Sequence, residues 1–434
     1  MTKYAGVPAT AISEHEAGDK QRQTGMAALA TLFVVTVFIF ANMYTTQAIL
    51  PVLSRELHIS APTAGLTVST LVLAVAIGSL FYGPLSDRIG RKPVMVGTSL
   101  LLAVPTLLCG LAPNFAVLVI LRTMQGLLIP GLTSVAIAYV NETFSGRRRG
   151  LAMGIYVCGT TVGGLFARTG SALLTGAFTW RIALLAFALP TLLAALAIWL
   201  FLPEMGVQHS PGPRKEALPP HQEPLKGIQQ AHVKAASPFS MYGAFLFQAF
   251  SDMGEHLRNR RLVGAFVIGF TLFFGFIGTF TYLPYYLTGP HFKLSTEAVG
   301  LVYVLWLTGV FSPFAGIIAQ RVGSRRTIAF SMTLAALGLL ITLAPLLPIV
   351  IIGLGLVTLG MFSTVPAVNL YLDEQATRAK GTAASMYLSS YYLGGSIGAI
   401  LPGLALLWFG WPGVVLFCLT LIIVALLSDA VLCR

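Results

Sequence analysis

Charge is what this chain has least of. Asp, Glu, Lys and Arg make up 10% of its 434 residues, against 56% hydrophobic residues. A soluble domain is about one quarter charged, so this composition excludes an ordinary water-soluble globule. Acids are scarcer than bases, with 15 Asp and Glu against 27 Lys and Arg and a net charge of +12. All the acids fall in expected loops, tails or helix ends, leaving no carboxylate inside an apolar stretch. The four cysteines (Cys109, Cys158, Cys418 and Cys433) lie in or beside apolar stretches, so no disulfide is expected. No apolar stretch holds a histidine. HExxH, GxxxxGK[ST] and any Cys/His cluster with metal-ligand spacing are missing as well. No metal, no cofactor and no catalytic constellation are therefore expected, and an enzyme is not.

What the chain does have is long apolar runs. Twelve reach roughly 20 residues or more with little or no charge, the length that spans a bilayer as a helix. They cover 27–52, 62–85, 94–113, 115–139, 150–175, 182–202, 262–288, 297–319, 328–347, 349–371, 382–408 and 413–432. The expected fold is all-α: a polytopic membrane protein of twelve transmembrane helices. Lys and Arg crowd the tails and the even-numbered connections, while only Arg55, Arg181 and Lys293 fall on the other side. The positive-inside rule then puts both termini and the central connection in the cytoplasm. The basic excess is a topology signal with anionic lipid as its partner, not a nucleic-acid footprint. Residues 1–26 read as a cytoplasmic tail, 27–202 as six helices, 203–261 as a cytoplasmic linker and 262–434 as six more. Within the linker, Phe239, Tyr242, Leu246, Phe250, Met253 and Leu257 recur at helical spacing, which predicts an amphipathic helix on the inner leaflet.

The two sets of six are copies. GPLSDRIGRK at 83–92 returns as GIIAQRVGSRR at 316–326, each where an apolar run ends. Gly83, Asp87, Arg88 and Gly90 align with Gly316, Gln320, Arg321 and Gly323. The register continues through Tyr139 and Glu142 with Tyr371 and Glu374. Beyond these, Gly150, Tyr156, Gly163, Gly164 and Trp180 align with Gly381, Tyr387, Gly394, Gly395 and Trp411. A six-span repeat inserts both halves in one orientation, related by a pseudo-two-fold axis along the membrane normal.

With these residues in view, the chain resembles the major facilitator superfamily over essentially all its length outside the tail and linker. GPLSDRIGRK is similar to the family's loop 2–3 motif. Arg122-x-x-Gln125-Gly126, with Pro130-Gly131 after it, resembles the span 4 motif of the drug–proton antiporter branch. Span 5 has Gly159 and Gly163 at the spacing of the antiporter motif but departs from it at Gly164 and at Ala167-Arg168. His256-Leu257-Arg258-Asn259, Gly163-Gly164 and Arg168 resemble a group of bacterial inner-membrane efflux permeases. The resemblance implies alternating access, a bacterial inner-membrane location, a small-molecule substrate and coupled protons. It also implies that Gly83, Asp87, Arg88, Gly90, Arg91 and Glu142 gate the cytoplasmic side, Asp87 meeting the start of span 11 near Gly381-Thr382. A monomer is expected.

The residues add their own reading. Arg122 and Arg168 are the only basic residues inside spans, at similar depth, and a buried guanidinium is costly. They predict one positive patch in the outer half of the first bundle. Asn42, Gln47, Gln125 and Asn369 are poorly tolerated against lipid and are expected to face protein or water. With Tyr282 they complete the expected substrate or proton pathway. Two buried bases and no buried acid favour export of a neutral or anionic organic molecule over a cationic drug. The alternatives are a uniporter or importer, a multidrug antiporter and, outside transport, a membrane sensor.

Overall fold

A computed structural model describes residues 9–144, 146–203 and 253–433. Eleven of its helices are long and apolar enough to cross a membrane. Spans 1 to 6 are Met26–Glu56, Ala61–Ile89, Arg91–Gly110, Phe115–Thr143, Arg148–Ala177 and Trp180–Phe201. Spans 7 to 10 are Arg260–Thr288, Thr296–Val322, Ser324–Ile341 and Leu347–Gln375, and span 12 lies within Leu401–Val431. Span 11, Lys380–Gly398, is helical but too polar to count among them, carrying Ser389, Ser390, Tyr387, Tyr391 and Tyr392. The predicted amphipathic stripe lies mainly outside the described residues. The helix of span 1 begins at Ala9, inside the predicted tail.

Two six-helix bundles result. In the first, span 1 packs on spans 5 and 6, and span 2 on span 4. In the second, span 7 packs on spans 11 and 12, and span 9 on span 10. The bundles meet through spans 2 and 11 and through spans 5 and 8. We call the end carrying the Gly90 and Gly323 turns the basic end, and the opposite end the far end.

The repeat is visible atom by atom. Gly90 (φ 102°) and Gly323 (φ 104°) make the same left-handed turn, which a side chain would strain. The Tyr139 hydroxyl donates to Pro203 O just past span 6, and its counterpart Tyr371 to Cys433 O just past span 12, both at 3.3 Å. Trp180 and Trp411 open the sixth span of each half. Their indoles donate to Glu56 and Thr342 respectively.

Four irregularities differ from uniform spans. Span 1 breaks after Tyr44 and resumes as a short 3₁₀ turn, Gln47–Ile49. Span 4 is interrupted at Ile129, where Pro130 has no N–H to continue the ladder. Span 8 runs as a 3₁₀ helix over Tyr303–Phe311, far beyond the usual three or four residues. The predicted span 11, 382–408, instead stops at Gly398, and a new helix starts at Leu401. That helix reverses at Gly410 (φ 62°), where a Cβ on Gly413 would lie 2.6 Å from Ala405 O. The turn between the last two spans is therefore where the sequence placed it, and the extra break at Ala399-Ile400 is new.

Candidate transport site

A broken helix leaves carbonyls without intrahelical partners, and in a membrane each must be satisfied from within the protein. The break in span 1 meets this need with Arg122. Its Nε donates to Thr67 O (3.1 Å), Nη1 to Asn42 O (2.7 Å) and Gln125 Oε1 (2.8 Å), and Nη2 to Met43 O (2.9 Å). The network closes on itself. Gln125 Nε2 donates to Thr106 Oγ1, Thr106 Oγ1 to Asn42 Oδ1, and Asn42 Nδ2 to Thr191 Oγ1, all at 2.8 Å. Asn42, Arg122 and Gln125 thus face protein and fasten spans 1, 2, 3, 4 and 6 of one bundle. Thr67, Thr106 and Thr191 were not singled out by the sequence. A threonine in an apolar helix is too common to stand out.

Arg168 has different surroundings. It is fully buried, and its guanidinium carbon lies 3.5 Å from the ring centroid of Trp306, 4.0 Å from that of Tyr44 and 5.3 Å from that of Tyr303. Such faces attract a cation. Nε donates to Gln47 Oε1 and Nη1 to Gly164 O, both at 2.7 Å. Nη2 is buried without a partner, and so is the Trp306 indole nitrogen. The two arginines do not form one patch: Arg122 engages only its own bundle, whereas Arg168 is stacked on rings of the other. Gly164 permits that stacking, since a Cβ there would sit 3.0 Å from the Trp306 ring.

The Arg168 layer belongs to a seal. Gln47 Nε2 donates to Thr281 Oγ1 (2.8 Å), and Ser54 shares a hydrogen bond with Tyr285 OH (2.6 Å). Ser69 pairs with Ser396 (3.0 Å), and Thr169 donates to Gly300 O (2.8 Å). Each links one bundle to the other, and each lies toward the far end. Tyr282 supports the seal rather than the cavity. Its hydroxyl donates to Ala399 O (2.6 Å), at the span 11 break, and to Ile400 O (3.2 Å), which also accepts from Gly403 N–H (3.0 Å).

Nearer the basic end the bundles part around a cavity of about 240 Å³. Phe40, Tyr156, Thr160 and Thr161 line it from one bundle, and Leu272, Phe276, Ser312, Met361, Phe362 and Tyr391 from the other. Trp306 packs behind Phe276 and Phe362, with ring centroids 4.6 and 5.6 Å away. No acidic or basic side chain lines this cavity. Asn369 is exposed near the basic end of span 10 and does not line it.

The residues expected to gate sit at the basic end. Arg91 bridges Asp87 (2.5 Å) and Glu142 (2.6 Å) and also donates to Ser86 Oγ. Asp87 remains largely exposed, Arg88 is exposed, and the positions of Gly83, Gly150 and Gly381 have open space where a side chain would go. Asp87, Arg91 and Glu142 are thus brought together within one bundle, and the start of span 11 stands clear of Gly83.

Relatives and solved structures agree with this architecture. A sequence profile described as Major Facilitator Superfamily matches residues 32–307 and 290–433. The Escherichia coli inner membrane transport protein YnfM is 34% identical over 93% of this chain and 89% of its own. An uncharacterized transporter of Buchnera aphidicola from Schizaphis graminum is 32% identical, covering 92% and 89%. The Bacillus subtilis MFS-type transporter YybF is 30% identical, covering 91% and 90%. Among solved structures, a bacterial homologue of the human lysosomal transporter Spinster, described as inward-facing and unoccupied, superposes with a TM-score of 0.73. It is 15% identical, over 94% of this chain and 98% of its own. A point mutant of the nucleoside transporter NupG gives 0.71 at 14% identity, over 94% and 100%. A duplicated six-span bundle, the loop 2–3 turn and its copy, and full-length matches to such transporters converge on one conclusion: this chain belongs to the major facilitator superfamily.

Proposed function

We propose that this transporter works by alternating access, exporting a small neutral or anionic organic molecule from the cytoplasm. The observation that carries the reading is the asymmetry between the two ends. The far end is sealed by bonds between the bundles, while a cavity lies between them on the basic side. The positive-inside rule supports placing the basic end, both termini and the linker in the cytoplasm of a bacterial inner membrane, so that this is the inward-facing state. The unit boundaries follow the same reading: 27–202 and 262–434 move against each other, joined by 203–261.

The gate then works as follows. When the basic end closes, Asp87 meets the positive end of span 11 near Gly381-Thr382, while Arg91 and Glu142 hold its loop in place. Arg88 anchors that loop at the phosphate surface, and Gly83 and Gly90 let it pack closely. Arg168 favours an anionic or neutral substrate, because a cation next to a buried guanidinium is repelled more strongly as water leaves. Described span interiors hold no carboxylate, and the nearest candidate, Asp429, sits in the last turn of span 12 paired with Arg325. Proton coupling therefore runs through the substrate's own ionisation or through the acids at the basic end. The same absence favours a uniporter as the second reading. Transport of a chemically diverse panel in proteoliposomes, with and without an imposed pH gradient, tests both. Gradient-driven accumulation of neutral or anionic compounds is expected. Gradient-independent equilibration selects the uniporter, and export of a permanent cation would return the protein to the multidrug class.

A further inference from the structure

Among the described residues five buried side-chain polar atoms lack a hydrogen-bond partner, and two of them, one in each bundle, are N–H donors at the Arg168 layer. Arg168 Nη2 and Trp306 Nε1 have no hydrogen-bond partner, although Arg168 is fully buried and Trp306 nearly so. Native proteins rarely leave such groups unsatisfied, and each one calls for an explanation. Arg168 also has no carboxylate among its described partners, which are an amide oxygen, a backbone carbonyl and three aromatic rings. A buried positive charge without a counter-ion is the expensive half of an ion pair.

We propose that Arg168 and Trp306 form an anion subsite for the carboxylate of a small, apolar-bodied monocarboxylic acid, bound across both bundles. This rests on the transport reading above and names the substrate class for it. The carboxylate supplies the missing charge and accepts from both orphaned donors, and a carboxylate has acceptor capacity for both. The body of the acid lies against Phe276 and Phe362, the rings that back onto Trp306 and face the cavity. The cavity of about 240 Å³ has room for a body of ring size. Trp306 stands in the 3₁₀ stretch Tyr303–Phe311, so seating the carboxylate involves the least regular part of span 8. Because the two donors belong to different bundles, the bound anion ties them together at the seal.

The test uses benzoate, benzamide and phenyltrimethylammonium, which share a ring and differ in charge. Binding to the full-length protein in nanodiscs is measured by competition with labelled benzoate, and movement is measured separately in proteoliposomes. Wild type should bind benzoate at least about tenfold more tightly than benzamide, the order expected for hydrogen bonds to a charged group, and should not bind the cation. Trp306→Phe keeps the ring and loses the N–H, so it should reduce the preference for benzoate over benzamide several-fold, because the lost bond is charge-assisted only for the carboxylate. Arg168→Lys should weaken benzoate by about tenfold, because lysine lacks the planar fork. Equal binding of benzoate and benzamide, no benzoate binding, or a Trp306→Phe profile matching wild type overturns the proposal. Preferential binding of benzoate without movement across the bilayer keeps the subsite and removes the transport reading.

Discussion

Spans 1 and 11 both break at the layer where the bundles meet, and their repair differs. In span 1 a guanidinium reaches across from span 4 and bonds Asn42 O and Met43 O, with further bonds to Thr67 O and Gln125. In span 11 a single phenol from span 7, Tyr282, bonds Ala399 O and Ile400 O. Charge-assisted bonds are roughly twice as strong as neutral ones. The repair of span 1 is therefore the rigid one at this layer and that of span 11 the adaptable one. The irregular 3₁₀ stretch of span 8 lies in the bundle of span 11. Arg168 stands at the boundary, held by Gln47 of the rigid break and stacked on Trp306 of that stretch.

Breaking the rigid repair has the largest expected effect. Arg122→Ala strips partners from at least three buried carbonyls, each worth about 1–3 kcal/mol when left unsatisfied. Loss of monodisperse, folded protein in detergent is expected, and Arg122→Lys should rescue little of it. A variant with a wild-type melting temperature would show that span 1 does not depend on Arg122. Tyr282→Phe removes one hydroxyl from the adaptable repair. It should cost only about 1–3 kcal/mol, visible as a lower melting temperature with transport retained. If it destabilises as much as Arg122→Ala, the ranking of the two repairs is wrong.

Smaller effects sharpen the comparison at the seal and the gate. Gly164→Ala puts a Cβ 3.0 Å from the Trp306 ring and 3.1 Å from Arg168 Nη1. Stability should change little while the far end loosens, read as faster alkylation of a cysteine placed at Ser396. Asp87→Asn weakens a helix-end interaction of about 0.3–2 kcal/mol in the closed state alone. It should raise thiol accessibility of the cavity from the basic end by a few-fold, and Gln320→Ala should do less because that copy already lacks the charge. Equal responses at the two positions would contradict the gate assignment.

How much of this could be read from the sequence follows from how local each signal is. Gly90 and Gly323 sit at matching ends of matching runs, so the paired turns were visible before any coordinates. The same holds for the Tyr139/Tyr371 and Trp180/Trp411 pairs, each fixed by register. The span 1 break was not visible, because Thr45-Thr46-Gln47 contains neither glycine nor proline and its stability comes from Arg122, far along the chain. The Ala399-Ile400 break did carry a local signal, because Pro402 has no N–H to continue the ladder and Gly398 and Gly403 flank it; an unbroken apolar run concealed it. Burial cost pointed to both arginines, but not to their different roles. Those depend on which neighbours face them, and Tyr44, Tyr303 and Trp306 come together only through packing. A tryptophan in the middle of span 8, away from the interfacial belts where indoles usually sit, was the available signal for the Arg168 cage.

The central claim is that the far end is closed and the basic end open, and that the two states exchange. Pulsed electron–electron distances on two label pairs test it most directly, in a background without the four native cysteines. One pair, Gly150 and Gly381, reports the basic end, and the other, Phe178 and Lys293, reports the far end. In nanodiscs the first pair should be long and the second short. The bulkier wedge Gly164→Leu should shorten the first and lengthen the second. Distances that do not respond to the wedge, or that move in the same direction, would contradict alternating access about the Arg168 layer.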